Sequence, residues 1–318
     1  MNLKYRLYLT KLSAALVAAL FCSSCFTGIE STPRISSDDV RRQRVSASPE
    51  QLFLSDIRPQ SPSEWQTGKR FYVADDKISI IFAAGAGTDR PLSGTDIIFE
   101  RFEQVPSVTG QGATELVFRI SGDASGKLLK YPVAADLKSI ESRERLEVPF
   151  TIERSVVDSV DRVMRGNSYY ISTPKWYAAS DGRETVGRRH IPVRIDSVTT
   201  GTYIYPLRVW FTPSDDTAKT FYIPMTIGTD RAATRNFDAV FHFDNPRLRY
   251  PRITDDVWAL IINSRVRDGM TRDECRLALG APDSYRTIPV TNAVVEQWSY
   301  ADGVYLIFED GLLTRYRI

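Results

Sequence analysis

Two stretches of this chain repeat one order of short aromatic or β-branched segments, which confines the middle of the sequence to a tandem pair of antiparallel β modules. Trp65-Gln66-Thr67-Gly68-Lys69-Arg70-Phe71-Tyr72-Val73 is echoed by Val163-Met164-Arg165-Gly166-Asn167-Ser168-Tyr169-Tyr170-Ile171. Ile97 to Phe102 and Val105 to Gly110 return as Ile191 to Ile195 and Val198 to Gly201. Leu116 to Arg119 returns as Leu207 to Phe211, and Tyr131-Pro132 as Tyr222-Ile223-Pro224. Turn residues such as Ser121-Gly122-Asp123 and Pro213-Ser214-Asp215-Asp216 separate the segments. Units of under about 100 residues manage their strand edges best by curling. Each is therefore expected to be a small antiparallel barrel or sandwich, over 64–153 and 154–250. Glu147 to Ile152 is expected to complete the first. Val156, Val157, Val160, Val163 and Met164 fall at helical spacing and predict a short connecting helix.

Ahead of the modules, Lys4, Arg6 and Lys11 precede the apolar run Leu12 to Phe21, which closes on Cys22-Ser23-Ser24-Cys25. A spanning helix needs about 20 apolar residues, so this run reads as an export signal. With small residues before the cysteine it reads as a lipoprotein signal over 1–24, and Cys25 is the expected lipid-attachment residue, carrying fatty acyl groups such as palmitate. An ordinary secretory signal with cleavage nearby is the alternative. Phe26 and the lack of an immediate acidic cluster point to an outer-membrane protein facing the periplasm. Residues 25–63 are rich in Ser, Pro, Asp and Arg and read as a flexible tether. Within it, Ser48-Pro49-Glu50-Gln51 carries a helix start with a capping box.

Without the leader, 38 basic residues face 39 acidic ones, a balance that argues against nucleic acid as partner. Cys275 is then the one cysteine not spent on signal or lipid, so no intrachain disulfide is expected.

The last stretch, 251–318, is written most plainly. Thr254-Asp255-Asp256 opens a helix with acids in its first turn, and Ile253 and Trp258 are spaced as a hydrophobic staple. Thr271-Arg272-Asp273-Glu274 is a capping box, and its helix ends at Gly280 before Pro282. Val294 to Tyr300, Val304 to Glu309 and Leu312 to Ile318 read as three strands joined at Asp302-Gly303 and Asp310-Gly311, where tight turns need positive φ. Gly269-Met270-Thr271, Leu279-Gly280-Ala281-Pro282, Glu296-Gln297-Trp298-Ser299-Tyr300 and Leu306-Ile307-Phe308-Glu309-Asp310-Gly311 resemble the SmpA/OmlA (BamE-like) family of outer-membrane lipoproteins. That resemblance covers about the last 65 residues. It implies a helix-helix-three-strand α+β domain that supports outer-membrane protein assembly or envelope integrity by contact, not catalysis. Tyr300, Tyr305 and Tyr316 are its candidate partner surface.

No pattern of catalytic or metal chemistry stands out. His190 follows Arg188-Arg189, His242 sits in an alternating strand pattern, and no zinc-ligand spacing occurs. Cys275 shares a helix face with Ala278 and Leu279 and reads as a core residue. The expectation is a mainly β, non-catalytic envelope lipoprotein with no cofactor or metal, acting as a protein-interaction module. The alternative is a carbohydrate- or peptidoglycan-binding lipoprotein whose strand aromatics, Tyr169, Tyr170, Trp176, Tyr177, Tyr203 and Tyr205, stack on a glycan.

Overall fold

A computed structural model describes residues 47–83, 91–106, 112–228, 235–290 and 293–318. The leader, Cys25 and the tether as far as residue 46 lie outside the described residues. Ser48–Ile318 forms one compact unit, mainly β, with three antiparallel sheets and few helices.

The first sheet holds β1 (Arg70–Val73), β2 (Asp96–Val105), β3 (Ala113–Ile120), β4 (Leu128–Val133) and β5 (Thr151–Glu153), in the order β4-β3-β2-β1-β5. The second holds β6 (Ser168–Ile171), β7 (Lys175–Ala178), β8 (Glu184–Val186), β9 (Ile191–Thr200), β10 (Leu207–Pro213), β11 (Phe221–Met225) and β12 (Phe241–His242). Its order is β12-β6-β9-β10-β11-β7-β8. With the β7–β8 hairpin set aside, the second sheet has the topology of the first: β6, β9, β10, β11 and β12 stand where β1 to β5 stand.

The correspondence extends to single hydrogen bonds. Gly68 donates its N–H to the Phe99 carbonyl at 2.8 Å, and Gly166 to the Ile195 carbonyl at 2.8 Å. Phe99 returns one to Lys69 at 2.8 Å, and Ile195 to Asn167 at 2.9 Å. Both glycines have positive φ, 99° and 82°, a conformation that a side chain resists. The long second strand of each sheet carries one bulged residue, Glu100 in β2 and Asp196 in β9, immediately after the pairs Phe99↔Phe118 and Ile195↔Phe211. A bulge sharpens local twist and bends each sheet over its own core.

In the strand order seen among the described residues, the outermost strands of each sheet do not pair with each other. β5 has three residues and β12 two, and short helices pack onto each core. α2 (Leu137–Glu141) buries Ile140 with Phe99, Phe118 and Leu129 in the first core. α3 (Arg154–Met164), the connecting helix, buries Val157, Val160 and Met164 against Val193, Val209, Phe211 and Ile223 in the second, and α4 (Phe237–Val240) adds Phe237 and Val240. In the first module Trp65 stands where the end of α3 stands in the second, within 5.8 Å of Phe71, Phe99 and Phe102.

The tether ends earlier than the sequence suggests. α1 (Pro49–Leu52) has the expected capping box between Ser48 and Gln51, Leu54 belongs to the second core, and Trp65 donates to the Gln60 carbonyl at 3.0 Å. Few apolar residues suffice here because Phe53 and Leu54 drop into a core built by residues far along the chain.

The C-terminal part packs α5 (Asp255–Ile262) and α6 (Arg272–Leu279) on one face of a sheet of β13 (Ser284–Val290), β14 (Ala293–Ser299), β15 (Tyr305–Glu309) and β16 (Leu312–Arg317). Four strands stand where three were expected, because Ser284–Val290 pairs along the whole of β14. The Thr271–Glu274 capping box is present. Thr254 does not cap α5 through its side chain; its hydroxyl goes to the Asp256 carboxylate instead. Asp302, Gly303, Asp310 and Gly311 all have positive φ, as the turns require. Cys275 is fully buried.

Candidate functional site

A cleft of ≈ 940 Å³ lies at the seam of the two modules. Its floor is Thr151, Ile152 and Glu153 of β5, with Val156 and Val157 of α3; the chain around Ile57 forms one wall, and Tyr203, Pro206 and Leu207 of the β9–β10 hairpin form another. Glu144, Arg145 and Glu147 rim it and continue into a smaller recess of ≈ 200 Å³. Tyr203 donates to Glu147 at 2.7 Å, and this bond raises the tyrosine pKa. Beside the cleft, Lys69 and Glu153 form a buried ion pair. Gln60 N–H and the Ser155 hydroxyl also donate to Glu153, at 3.2 and 2.6 Å. Burial lowers the Lys69 pKa, partly offset by its carboxylate partner. A pair so enclosed costs desolvation, and removing either member leaves the other unmatched.

A second assembly fixes the C-terminal part to the second module. Arg189 donates its backbone N–H to the Ile262 carbonyl at 2.9 Å, and its guanidinium to the carbonyls of Ser172 and Leu279 and to the Ser264 hydroxyl, at 3.3, 3.2 and 3.3 Å. Burial drops the Arg189 pKa to about 10. The next residue, His190, has φ 57° and places Nε2 3.2 Å from the Leu277 carbonyl. Its ring centroid lies 5.7 Å from that of Trp258 and 6.5 Å from that of His242. Burial depresses the His190 pKa to about 4, so the ring is neutral and the nitrogen facing Leu277 is the protonated one. This is a joint of carbonyls, one guanidinium and a neutral imidazole. The sequence signal available for it was Arg189-His190 itself, two polar residues placed directly before a strand.

The three tyrosines proposed as a patch do not share a surface. Tyr305 pairs with Arg317 while Tyr316 pairs with Leu306, and neighbouring strand positions point to opposite faces. Leu306 is fully buried under the helices, so Tyr316 lies at the margin of the helix side and Tyr305 on the outer side. Tyr300 is half-buried and donates to the Gly280 carbonyl at 3.2 Å; burial pushes its pKa up to about 12. The outer face joins Tyr305 to residues the sequence had not singled out. The register sets Ile288-Val295-Glu309-Leu312, Arg286-Gln297-Ile307-Arg315 and Ser284-Ser299-Tyr305-Arg317 in three rows across the four strands. Three arginines stand there against one glutamate, and Ile288 and Leu312 are 46% and 48% exposed.

The aromatics considered for glycan stacking are largely in use. Tyr169 and Trp176 are buried, Trp176 donating to the Thr173 carbonyl at 2.7 Å. Tyr177 stacks on Tyr222 at 5.3 Å, whose ring also carries Arg208 at 4.8 Å. Among the described residues no three His, Cys, Asp or Glu side chains are grouped to hold a metal, and burial pushes the Cys275 thiol up to about 12. Comparison with protein families, curated proteins and solved structures returns no match.

Proposed function

We propose that the chain is a non-catalytic envelope lipoprotein, anchored through Cys25 in the outer membrane and facing the periplasm, that acts as a protein-interaction module. Its two tandem β modules carry a BamE-like C-terminal domain, which docks on an envelope protein and so supports outer-membrane assembly or envelope integrity. The observation that carries this reading is the outer face of β13 to β16. Antiparallel sheets commonly present a polar face to water, whereas this one sets Ile288, Val295, Ile307 and Leu312 among Arg286, Arg315 and Arg317. Apolar area ringed by arginine is the composition of a protein contact surface, and arginine over-contributes to such contacts. The partner is then an acidic protein surface.

The test is crosslinking in intact cells with a tagged full chain, followed by mass spectrometry of what co-purifies. A chain truncated before Ile253 and the outer-face pair Arg286→Glu and Arg317→Glu are compared with it. The expected result is one envelope protein recovered with the full chain and lost with both variants. Recovery of that protein by the truncated chain, or of cell-wall glycan alone, would move the function to the β modules. Cys25→Ala is expected to abolish fatty-acid incorporation; unchanged labelling would remove the anchor.

A further inference from the structure

Leu52 and Leu248 are 52% and 76% exposed, and both stand beside β12. α1 packs on that edge. Glu50 accepts the Phe243 N–H, and Phe53 meets Phe237 and Phe243 with ring centroids 4.5 and 5.0 Å apart. The 3₁₀ turn Pro246–Arg249 follows β12 in the chain, and Arg249 reaches back to Glu50 at 3.7 Å. The two short elements are therefore neighbours on one flank.

Both leucines are held outward by fixed elements. α1 is closed by its capping box and buries Glu50. The turn is pinned on one side by buried Pro246. On the other, the Arg247 guanidinium donates to the carbonyls of Tyr250 and Ile253, lies 5.3 Å from the Trp258 ring and meets Asp255 at 3.2 Å. What lies outside those pins is Leu248 and Arg249, followed by exposed Arg252, which makes no ion pair among the described residues. The acids beside it are Glu50, which faces Arg249 at 3.7 Å, Asp244, and Asp255 and Asp256, held by Arg247 and Arg267. Folding gains little from leucine at either position, because neither side chain reaches a core.

We propose that this flank rests on the phospholipid surface, with Leu52 and Leu248 in the boundary between headgroups and acyl chains and Arg249 and Arg252 at the anionic headgroups. Apolar side chains that dip into this boundary beside arginines that meet phosphate are the chemistry of interfacial binding. The occupant is a bilayer because of where the chain joins. α1 is the first element of the folded unit, and residues 26–47 are all that separates it from Cys25. Those 22 residues span at most about 75 Å when fully extended. The inference rests on the lipid-anchor reading above: a lipid at Cys25 brings this flank to the membrane first, and a patch too weak to bind from solution is sufficient once tethered.

The test uses the full-length gene product in its lipid-modified form, reconstituted into phosphatidylethanolamine–phosphatidylglycerol vesicles. A polarity-sensitive fluorophore is attached at Leu52→Cys, Leu248→Cys or, as a remote control, Ile80→Cys; Cys275 is fully buried and stays unlabelled. Expected is a blue shift and several-fold stronger quenching by nitroxide-headgroup lipid at 52 and 248 than at 80, abolished at 52 by Leu248→Glu and at 248 by Leu52→Glu. If 52 and 248 behave like 80 while the protein co-floats with vesicles, the flank proposal is overturned and the anchor stands. If the protein does not co-float, the anchor falls and this inference with it. A shift already present without vesicles would assign the patch to a protein contact and overturn it as well.

Discussion

The two β modules are the same sheet built twice, and they differ where they meet the rest of the molecule. Gly94 of the first module and His190 of the second occupy one position: each lies just before the long second strand of its sheet, has positive φ (84° and 57°), and donates its N–H to the carbonyl at the end of the first strand, Val73 or Ile171. Glycine is what that backbone favours. The second module accepts the strain of a histidine there, and that histidine, with Arg189, holds the C-terminal part. The first module keeps glycine there and carries no such joint among the described residues. A residue that departs from its duplicate's backbone-optimal choice marks the place where the duplicate has been given a task.

The buried interior shows the opposite behaviour. Phe118 and Phe211 are equivalent and both fully buried, so Phe118→Ala and Phe211→Ala should each cost about 3–5 kcal/mol in urea denaturation. Losses that differ by more than the spread of such substitutions would break the equivalence.

A comparable effect should mark a place where the modules part. Lys69 and Glu153 of the first module correspond to Asn167 and, next in register after β12, Phe243 of the second. Lys69→Met alone strands a buried carboxylate and should cost about 3–5 kcal/mol. The pair Lys69→Met and Glu153→Leu should restore most of it, as the second module manages with no ion pair there. A double-mutant cycle by denaturation checks this, and a double variant no better than the single one would refute it.

Acid should weaken the second module more than the first. Both histidines lie there, His242 standing where the first module has Ile152, and burial depresses both pKa values, His190 to about 4. The unfolded chain takes up these protons near 6.5 and the folded chain does not. Stability from the neutral rings is thus full above about 6.5 and is lost as pH falls through that value towards about 4, worth at most about 3 kcal/mol for His190. His190→Gln should flatten stability between pH ~7.5 and ~5; an unchanged slope would deny the histidine this role.

The smallest effect comes from exchanging the duplicated residues. Gly94→His finds open space for its Cβ and should cost only the left-handed backbone, about 1–2 kcal/mol. His190→Gly relieves the same strain but frees the joint, so global stability should change little while amide exchange rises across Leu277 to Leu279.

Much of this architecture was legible in the sequence. Gly68 and Gly166, the aromatic strands after them and the two capping boxes are local chemistry, and local chemistry acts on residues a few positions apart. β13 was not legible: Ser284–Val290 is exposed at each position described and buries no stripe, so only its pairing with β14 makes it a strand. The tyrosine patch failed for a related reason. Spacing in sequence does not fix a face until the register does, and Tyr305 and Tyr316 alternate across it.

By itself the sequence determined the class of the fold, the duplication, the helix ends and the turns, because propensity, capping and positive-φ demands are settled within a few bonds. The tertiary structure decided the strand order of the sheets, that the chain from Ser48 belongs to the body, that the modules part into a cleft at Ile152 and Tyr203, and that Arg189 and His190 form a joint. Each of these depends on groups distant in the chain meeting at one place, where loop closure, burial and pairing are decided together.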